Sequence, residues 1–374
     1  MPTPLLRHLA AEDEHRESLG LTRRLRARDG DELVDLAGND YLGLLRHPLV
    51  VSGAVEAARS YGGGAGASRL VSGTLAIHGE LERELAELTG AATGLVLSTG
   101  YHANLAAITA LADAETTIVS DAHVHASLID ACRLSRGRVV VARHNDVDDL
   151  ARLVREAGTA RVLVVVESVY SVLGDAAPLD EIAGVAADLG ATVLVDEAHG
   201  LGVLGERGEG LVAASGLGAR PDVVVTATLS KSLAAQGGAV LAHPAVRHHL
   251  VNTGRPFIYD TGLAPAAAGA ALGALRALRE ERWRPRRLAQ VMAVLAESVE
   301  VDAPAGAVLS IPAPGPREAV AAVETARHRG VRIGCFRPPS SPDGASRLRL
   351  TGHADLTDDE LAHAVHVLRE VTGR

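Results

Sequence analysis

The chain has 374 residues, 47% of them hydrophobic and 22% charged, and carries a net charge of −9. That length predicts two domains with ample apolar material for their cores, and an acidic chain without a basic stripe argues against nucleic acid or an anionic membrane as partner. Two cysteines, Cys132 and Cys335, are too few for a disulfide framework or a structural zinc site. No apolar run is long enough to span a bilayer, and the charged stretch from Glu12 to Glu17 does not read as a signal peptide, so a cytoplasmic protein is expected.

In chain order, the first 40 or so residues read as a helical arm leading into Asn39-Asp40-Tyr41-Leu42-Gly43. Seven short apolar runs follow, at residues 94–98, 116–120, 138–142, 162–167, 192–196, 223–226 and 239–242. Helical patterns separate them, among them 102–112, 126–134 and 179–189. Nearly continuous apolar runs alternating with helices predict an α/β architecture, a mostly parallel seven-stranded sheet covered on both faces. The seventh run follows the sixth with little room for a helix, which suits an antiparallel member. After about Pro265 a long helical stretch continues to about Val299 and is interrupted by Pro285. Strand-like runs at 308–311, 331–336 and 347–350 then predict an α+β C-terminal domain. The expected division is an arm over 1–41, a large domain over 42–280 and a small domain over 281–374.

One compositional fact bears on chemistry. The chain has 36 arginines and a single lysine, Lys231. A background that writes arginine wherever a surface cation is needed keeps a lysine where an amine must lose its proton and attack a carbonyl, or keeps it by chance. The neighbourhood decides between the two. Val193-Leu194-Val195-Asp196-Glu197-Ala198-His199 reads as a buried strand ending in a carboxylate, with an imidazole three residues on. Lys231 stands just past the next strand, so amine, carboxylate and imidazole converge at strand ends, where open parallel sheets bind their ligands. A pyridoxal cofactor needs such an amine, a carboxylate on its ring nitrogen and a donor near its phenolic oxygen. Asp-Glu-Ala-His is also a helicase string, but that reading demands an upstream phosphate loop with its own lysine, and there is none.

Other patterns carry less. Residues 61–68, with four glycines, could be called a dinucleotide fingerprint of an NAD-dependent dehydrogenase, but no convincing strand precedes them. Ser98-Thr99-Gly100-Tyr101 closes the first strand and opens a helix, which is either a plain cap or a phosphate site. His123 and His125 would share a face if they lay in a strand, the basis of a zinc-hydrolase alternative without a third ligand. His125 could instead stack on a cofactor ring. Arg347 and Arg349 alternate onto one face, either a solvated edge or a fork for a carboxylate.

Several of these motifs at their spacing make the chain resemble the α-oxoamine synthases, fold-type-I pyridoxal-5'-phosphate (PLP) transferases, nearly end to end. The likeness covers residues 39–44, 66–73, 125–128, 196–205, 228–233 and 337–350. It implies that Lys231 forms the Schiff base with the cofactor and moves the Cα proton. Asp196 would pair with the pyridinium nitrogen, His199 with the phenolic oxygen, helped by Ser171, and His125 would stack over the ring. Gly100, Tyr101 and Thr228 would hold the phosphate, with Thr261 reaching in from the other subunit of a homodimer whose active site is shared. Arg349 would bind the amino-acid carboxylate, while Asn39, Arg337 and Arg23 would contact the thioester. Gly200, residues 236–238 and residues 259–262 resemble the biotin-pathway branch, which implies decarboxylative condensation of L-alanine with pimeloyl-CoA or a carrier-protein thioester. Another member, such as a glycine C-acetyltransferase, is the alternative within the family.

Overall fold

The computed structural model describes residues 3–28 and 33–374; residues 1, 2 and 29–32 of the expected arm lie outside them. Eleven strands are present among the described residues: β1 (Val34–Leu36), β2 (Thr93–Leu97), β3 (Thr116–Asp121), β4 (Arg138–Ala142), β5 (Arg161–Glu167), β6 (Thr192–Asp196), β7 (Val223–Thr228), β8 (Gly238–Ala242), β9 (Val308–Pro312), β10 (Val331–Phe336) and β11 (Arg347–Thr351). β2 to β8 form the seven-stranded sheet in the order β2-β8-β7-β6-β5-β3-β4. Only β8 runs antiparallel to its neighbours. The six apolar runs called parallel and the seventh called antiparallel are thus found as expected.

The sheet exists because its central strands have no polar face to show to water. In β5 the run Leu163 to Val166 is essentially inaccessible, as are Val193 to Val195 of β6 and Val223 to Val225 of β7. Each such side chain contributes on the order of 1.5–3 kcal/mol through burial. Helices cover both faces and end where the sequence directs. The Leu179–Leu189 helix, for instance, stops at Gly190 in the left-handed region at φ 69°.

A second apolar core belongs to the C-terminal region, built from residues such as Leu288, Leu295, Leu309, Ile333, Leu350 and Val367. Its sheet has the order β1-β10-β11-β9. Here the arm expectation needs correction. Pro4–Ser18 is helical, but Val34–Leu36 is a strand that pairs parallel with β10, and Val34, Leu36 and Tyr41 pack into this second core. Pro285 also acts differently from expectation. The break falls between helices Pro265–Glu280 and Trp283–Ser298, and Pro285 lies in the first turn of the second, where a missing N–H costs nothing.

Candidate active site

The carboxyl ends of β5, β6 and β7 deliver Glu167, Asp196 and Thr228 to one place, since Glu167 is in register with Asp196 and Asp196 with Thr226. They share a cavity of about 250 Å³ with Gly100, Tyr101, Asn104, His125, His199 and Lys231. A tight turn after β6 lifts His199 back over the strand end: the Gly200 and Leu201 amides both donate to Glu197 O. A side chain at Gly200 would collide with the Glu197 carboxyl group, so the turn accepts only glycine.

Lys231 Nζ lies 2.8 Å from His199 Nε2. Burial lowers the lysine's pKa, Asp196 and Glu167 pull it up, Arg349 pushes it down, and the balance rests at about 8. His199 is held well below the ordinary range, first by burial and then by the charges of Lys231, Arg349 and His125. Its other nitrogen, Nδ1, sits 2.8 Å from the Tyr41 hydroxyl. Asp196 is fixed by Asn104 Nδ2 at 2.8 Å and by the Ala198 amide at 2.9 Å. Glu167, fully buried next to Asp196, is raised well above the usual carboxyl range by burial and by that like charge.

The cavity floor is set by caps. Thr99 caps the Gly100–Leu111 helix by accepting from the His102 amide. The first-turn amides of Gly100 and Tyr101 then have no carbonyl a turn behind them, an arrangement that suits a phosphate. Thr228 backs Gly100 so closely that a Cβ there would touch its side chain. His125 caps the Ala126–Leu134 helix through Nδ1, and its ring lines the cavity, lowered in pKa by burial.

Six expected residues, Ser171, Arg349, Asn39, Thr261, Arg337 and Arg23, lie outside the cavity lining. Ser171 lies outside the cavity lining, and its carbonyl accepts from Arg349 Nε at 2.9 Å. Arg349 comes from β11, reaches Asn39 Oδ1 at 3.4 Å and has Phe336 beneath its guanidinium at 5.3 Å. Thr261 bridges Ser68 and does not line the cavity of its own chain. Arg337 donates to the carbonyls of Gly20 and Thr22 and lines a separate groove against the arm, while Arg23 Nη2 bonds Ser340 Oγ at 2.7 Å. The two histidines of the zinc alternative are in a loop after β3 and do not converge: His123 stacks on His144 at 3.8 Å and His125 caps a helix. The glycines of residues 62–66 follow the Pro48–Tyr61 helix, so the strand a dinucleotide fingerprint requires is missing.

Sequence reasoning missed Asn104, Glu167, Ser127, Ser230 and Tyr41. Glu167 ends a strand beside Asp196 and could have been found by the rule that found Asp196. Asn104, inside a helix otherwise rich in alanine and leucine, had a weaker signal: a buried amide among small apolar residues.

The residues fit PLP. One amine, one fixed carboxylate, an imidazole and a phosphate-type helix start surround a single cavity, and the buried Asn104 Oδ1 has no partner within the chain. Comparison with known proteins agrees. Residues 31–368 match the family model of class I and II aminotransferases. The 8-amino-7-oxononanoate synthase of Mycolicibacterium gilvum is 52% identical over 97% of this chain and 96% of its own. That of Mycolicibacterium smegmatis is 53% identical over the same shares. A solved serine palmitoyltransferase structure with PLP as an internal aldimine superposes with a TM-score of 0.90 at 29% identity, covering 99% of both chains. The seven-stranded sheet, the site at its strand ends and these likenesses lead to one conclusion: the chain belongs to the class I and II aminotransferase family of fold-type-I PLP enzymes, in its 8-amino-7-oxononanoate synthase group.

Proposed function

We infer that the chain condenses L-alanine with a pimeloyl thioester, releasing carbon dioxide and the free thiol and forming 8-amino-7-oxononanoate for biotin synthesis. The observation that carries this reading is the placement of the only lysine, 2.8 Å from a neutral imidazole and within the field of two buried carboxyl groups at adjacent strand ends. PLP, when bound, supplies an electron sink for the carbanion formed at the alanine Cα.

Each step of the chain's own contribution has a residue. Lys231 supplies the amine that holds the cofactor. With a pKa near 8 it is partly unprotonated around neutrality, so it can also accept the Cα proton and return one. Asp196, kept in place by Asn104 and the Ala198 amide, would pair with the cofactor's ring nitrogen and keep it protonated. His199 would serve the cofactor's phenolic oxygen, and His125 would stack on its ring. Gly100, Tyr101 and Thr228 would hold its phosphate. Arg349, clamped by Ser171 O and Asn39, presents its guanidinium to the alanine carboxylate. Asn39, Arg337 and Arg23 would contact the thioester in this reading; the two arginines bond Gly20 O and Ser340 Oγ at the arm side of the small sheet.

The working unit in this reading is a cytoplasmic homodimer. Thr261 does not line the cavity of its own chain, which is consistent with its serving the partner's. Among the described residues no helix is long and apolar enough to cross a membrane.

The deciding experiment is the visible spectrum of the purified protein with PLP, titrated with L-alanine or glycine before pimeloyl-CoA is added. A cofactor band that responds to alanine, followed by release of coenzyme A, is the expected result. A response to glycine alone would move the chain to another branch of the family. No visible band after added PLP would overturn the cofactor assignment.

A further inference from the structure

Between β5 and the Leu179–Leu189 helix the chain makes a small hairpin, residues 168–177. Val169 and Ala176 pair antiparallel across it, the Ala177 amide donates to Ser168 O at 3.0 Å, and the Tyr170 amide donates to Asp175 O at 2.9 Å. Its tip rests on the small domain. The Ala305 amide donates to Gly174 O at 3.1 Å, and a side chain at Gly174, where φ is 80°, would run into Val308 O. From the same tip, Ser171 O accepts from Arg349 Nε at 2.9 Å.

That guanidinium also meets Asn39 Oδ1 at 3.4 and 3.5 Å, the Tyr41 hydroxyl and the ring of Phe336. Asn39 and Tyr41 follow β1 and Phe336 ends β10, so these three belong to the side of the small sheet. Of the four partners, only Ser171 comes from the large sheet's side. A bond at Nε fixes the plane of the rigid guanidinium and hence the direction in which its two terminal nitrogens point.

His144, in the loop after β4, ties this hairpin to the large sheet. On one side of the tip its Nε2 bonds Asp175 Oδ2 at 2.8 Å; on the other its ring meets Tyr170 edge-on, with centroids 4.4 Å apart. Its Nδ1 bonds Asp121 Oδ1 at 2.9 Å, at the end of β3. Asp121 is itself fixed, because its carboxylate also accepts from the amides of His123 at 2.7 Å and Asn145 at 2.9 Å. Asn145, in the left-handed region at φ 52°, crosses the same gap: its side-chain amide donates to Asp175 Oδ2 at 2.7 Å and to Ala176 O at 3.1 Å. Burial works against a charge on His144, but the two carboxylates override it and lift the pKa to about 9. Both ring nitrogens are therefore donors near neutrality, and both bonds are charge-assisted.

We propose that His144 is a positioning residue for the amino-acid carboxylate: it fastens the 168–177 hairpin to the end of β3 and, through Ser171 O, sets the direction of the Arg349 fork. The role rests on the reading of Arg349 given above. An imidazolium suits it because its two donors sit on opposite edges of one ring and reach two carboxylates at once. The amide of an asparagine at 144 has its donors on a single atom and cannot span them, which leaves Asn145 alone to hold the hairpin.

The test is a cycle of His144→Asn, Arg349→Ala and the double variant, with the alanine dissociation constant of the PLP-loaded protein read from the cofactor's visible band. His144→Asn is expected to weaken alanine binding about tenfold, the scale of one charge-assisted hydrogen bond, with PLP affinity and kcat at saturating alanine near those of the wild type. In the Arg349→Ala background the same change should cost nothing further, because the group that His144 positions is gone. Asp175→Ala, which leaves the His144–Asp121 pair in place, should reproduce the loss and is the route to follow should His144→Asn fold poorly. Additive losses in the cycle, an unchanged alanine constant in either folded variant, or a drop confined to kcat would overturn the proposal and leave Arg349 its own role. If Arg349→Ala binds alanine as the wild type does, the carboxylate-site reading itself fails, and the positioning role falls with it.

Discussion

His199 in the cofactor cavity and His144 at the junction of β3 with the loop after β5 are both poorly exposed, and both ring nitrogens of each are in polar contact. They hold different charge states, one neutral and one cationic. His199 touches a phenol and an amine, and burial with nearby cations keeps it neutral. His144 meets Asp121 through Nδ1 at 2.9 Å and Asp175 through Nε2 at 2.8 Å. Burial works against its charge too, but the two carboxylates override it and lift the pKa to about 9. Burial alone therefore decides nothing; the sign of the neighbours does. One imidazole is left able to exchange a proton, and the other is a fixed cation. The fixed cation has its own task, because Asp175 belongs to the loop whose Ser171 carbonyl clamps Arg349.

This contrast can be broken experimentally, and the largest effect is expected in the cavity. Lys231→Ala would remove the residue proposed both to anchor the cofactor and to move the Cα proton. Turnover, followed as coenzyme A release, should fall at least about a thousandfold. A rate near that of the wild type would remove the lysine from the mechanism.

At the junction the expected effect is on stability. The folded pKa of His144 is raised above its unfolded value of 6.5, so its contribution is complete below that pH and is lost as pH rises through about 9. The size of the shift corresponds to about 3 kcal/mol. Urea unfolding of the wild type on either side of this window should show the loss, and His144→Asn should flatten it. An equally steep slope in the variant would mean that other groups carry the pH dependence.

Arg349→Ala separates binding from cofactor retention. It should weaken alanine binding by about 2 kcal/mol, the cost of a charged hydrogen bond, while PLP affinity stays close to that of the wild type. An unchanged alanine dissociation constant would take Arg349 out of the substrate site. The smallest effect sharpens the histidine comparison itself. Asp175→Asn leaves His144 with one carboxylate and should lower its NMR-titrated pKa by about one unit. No change would assign the whole elevation to Asp121.

Much of this was legible before the fold was known, for a physical reason. Strands buried on both faces write continuous apolar runs, and groups at their carboxyl ends fall at the sheet's binding edge, which is how Asp196, His199 and Lys231 could be placed together from sequence. Alternation placed Arg347 and Arg349 opposite the core-facing Leu348 and Leu350, as their burial in the second core agrees. What could not be read depends on partners distant in sequence. Asn104 reaches Asp196 from a helix 92 residues earlier, and Tyr41 reaches His199 across 158 residues. Three residues of β1 are too few to write a period. Arg23 and Arg337 came from resemblance alone, and their present contacts are with one another's segments and not with the cavity.

The short strand β1 has one more consequence, and it concerns synthesis. Its hydrogen-bond partner, β10, begins about 300 residues further along the chain. A ribosome therefore exposes Val34–Leu36 long before anything exists to pair with them, whereas every partner within the large sheet has been made by Ala242. The large domain can assemble while translation continues, but the edge of the small sheet closes only when the last tenth or so of the chain emerges. Until then the N-terminal segment is an unpaired edge in waiting, open to other strands and to the chaperones that guard them.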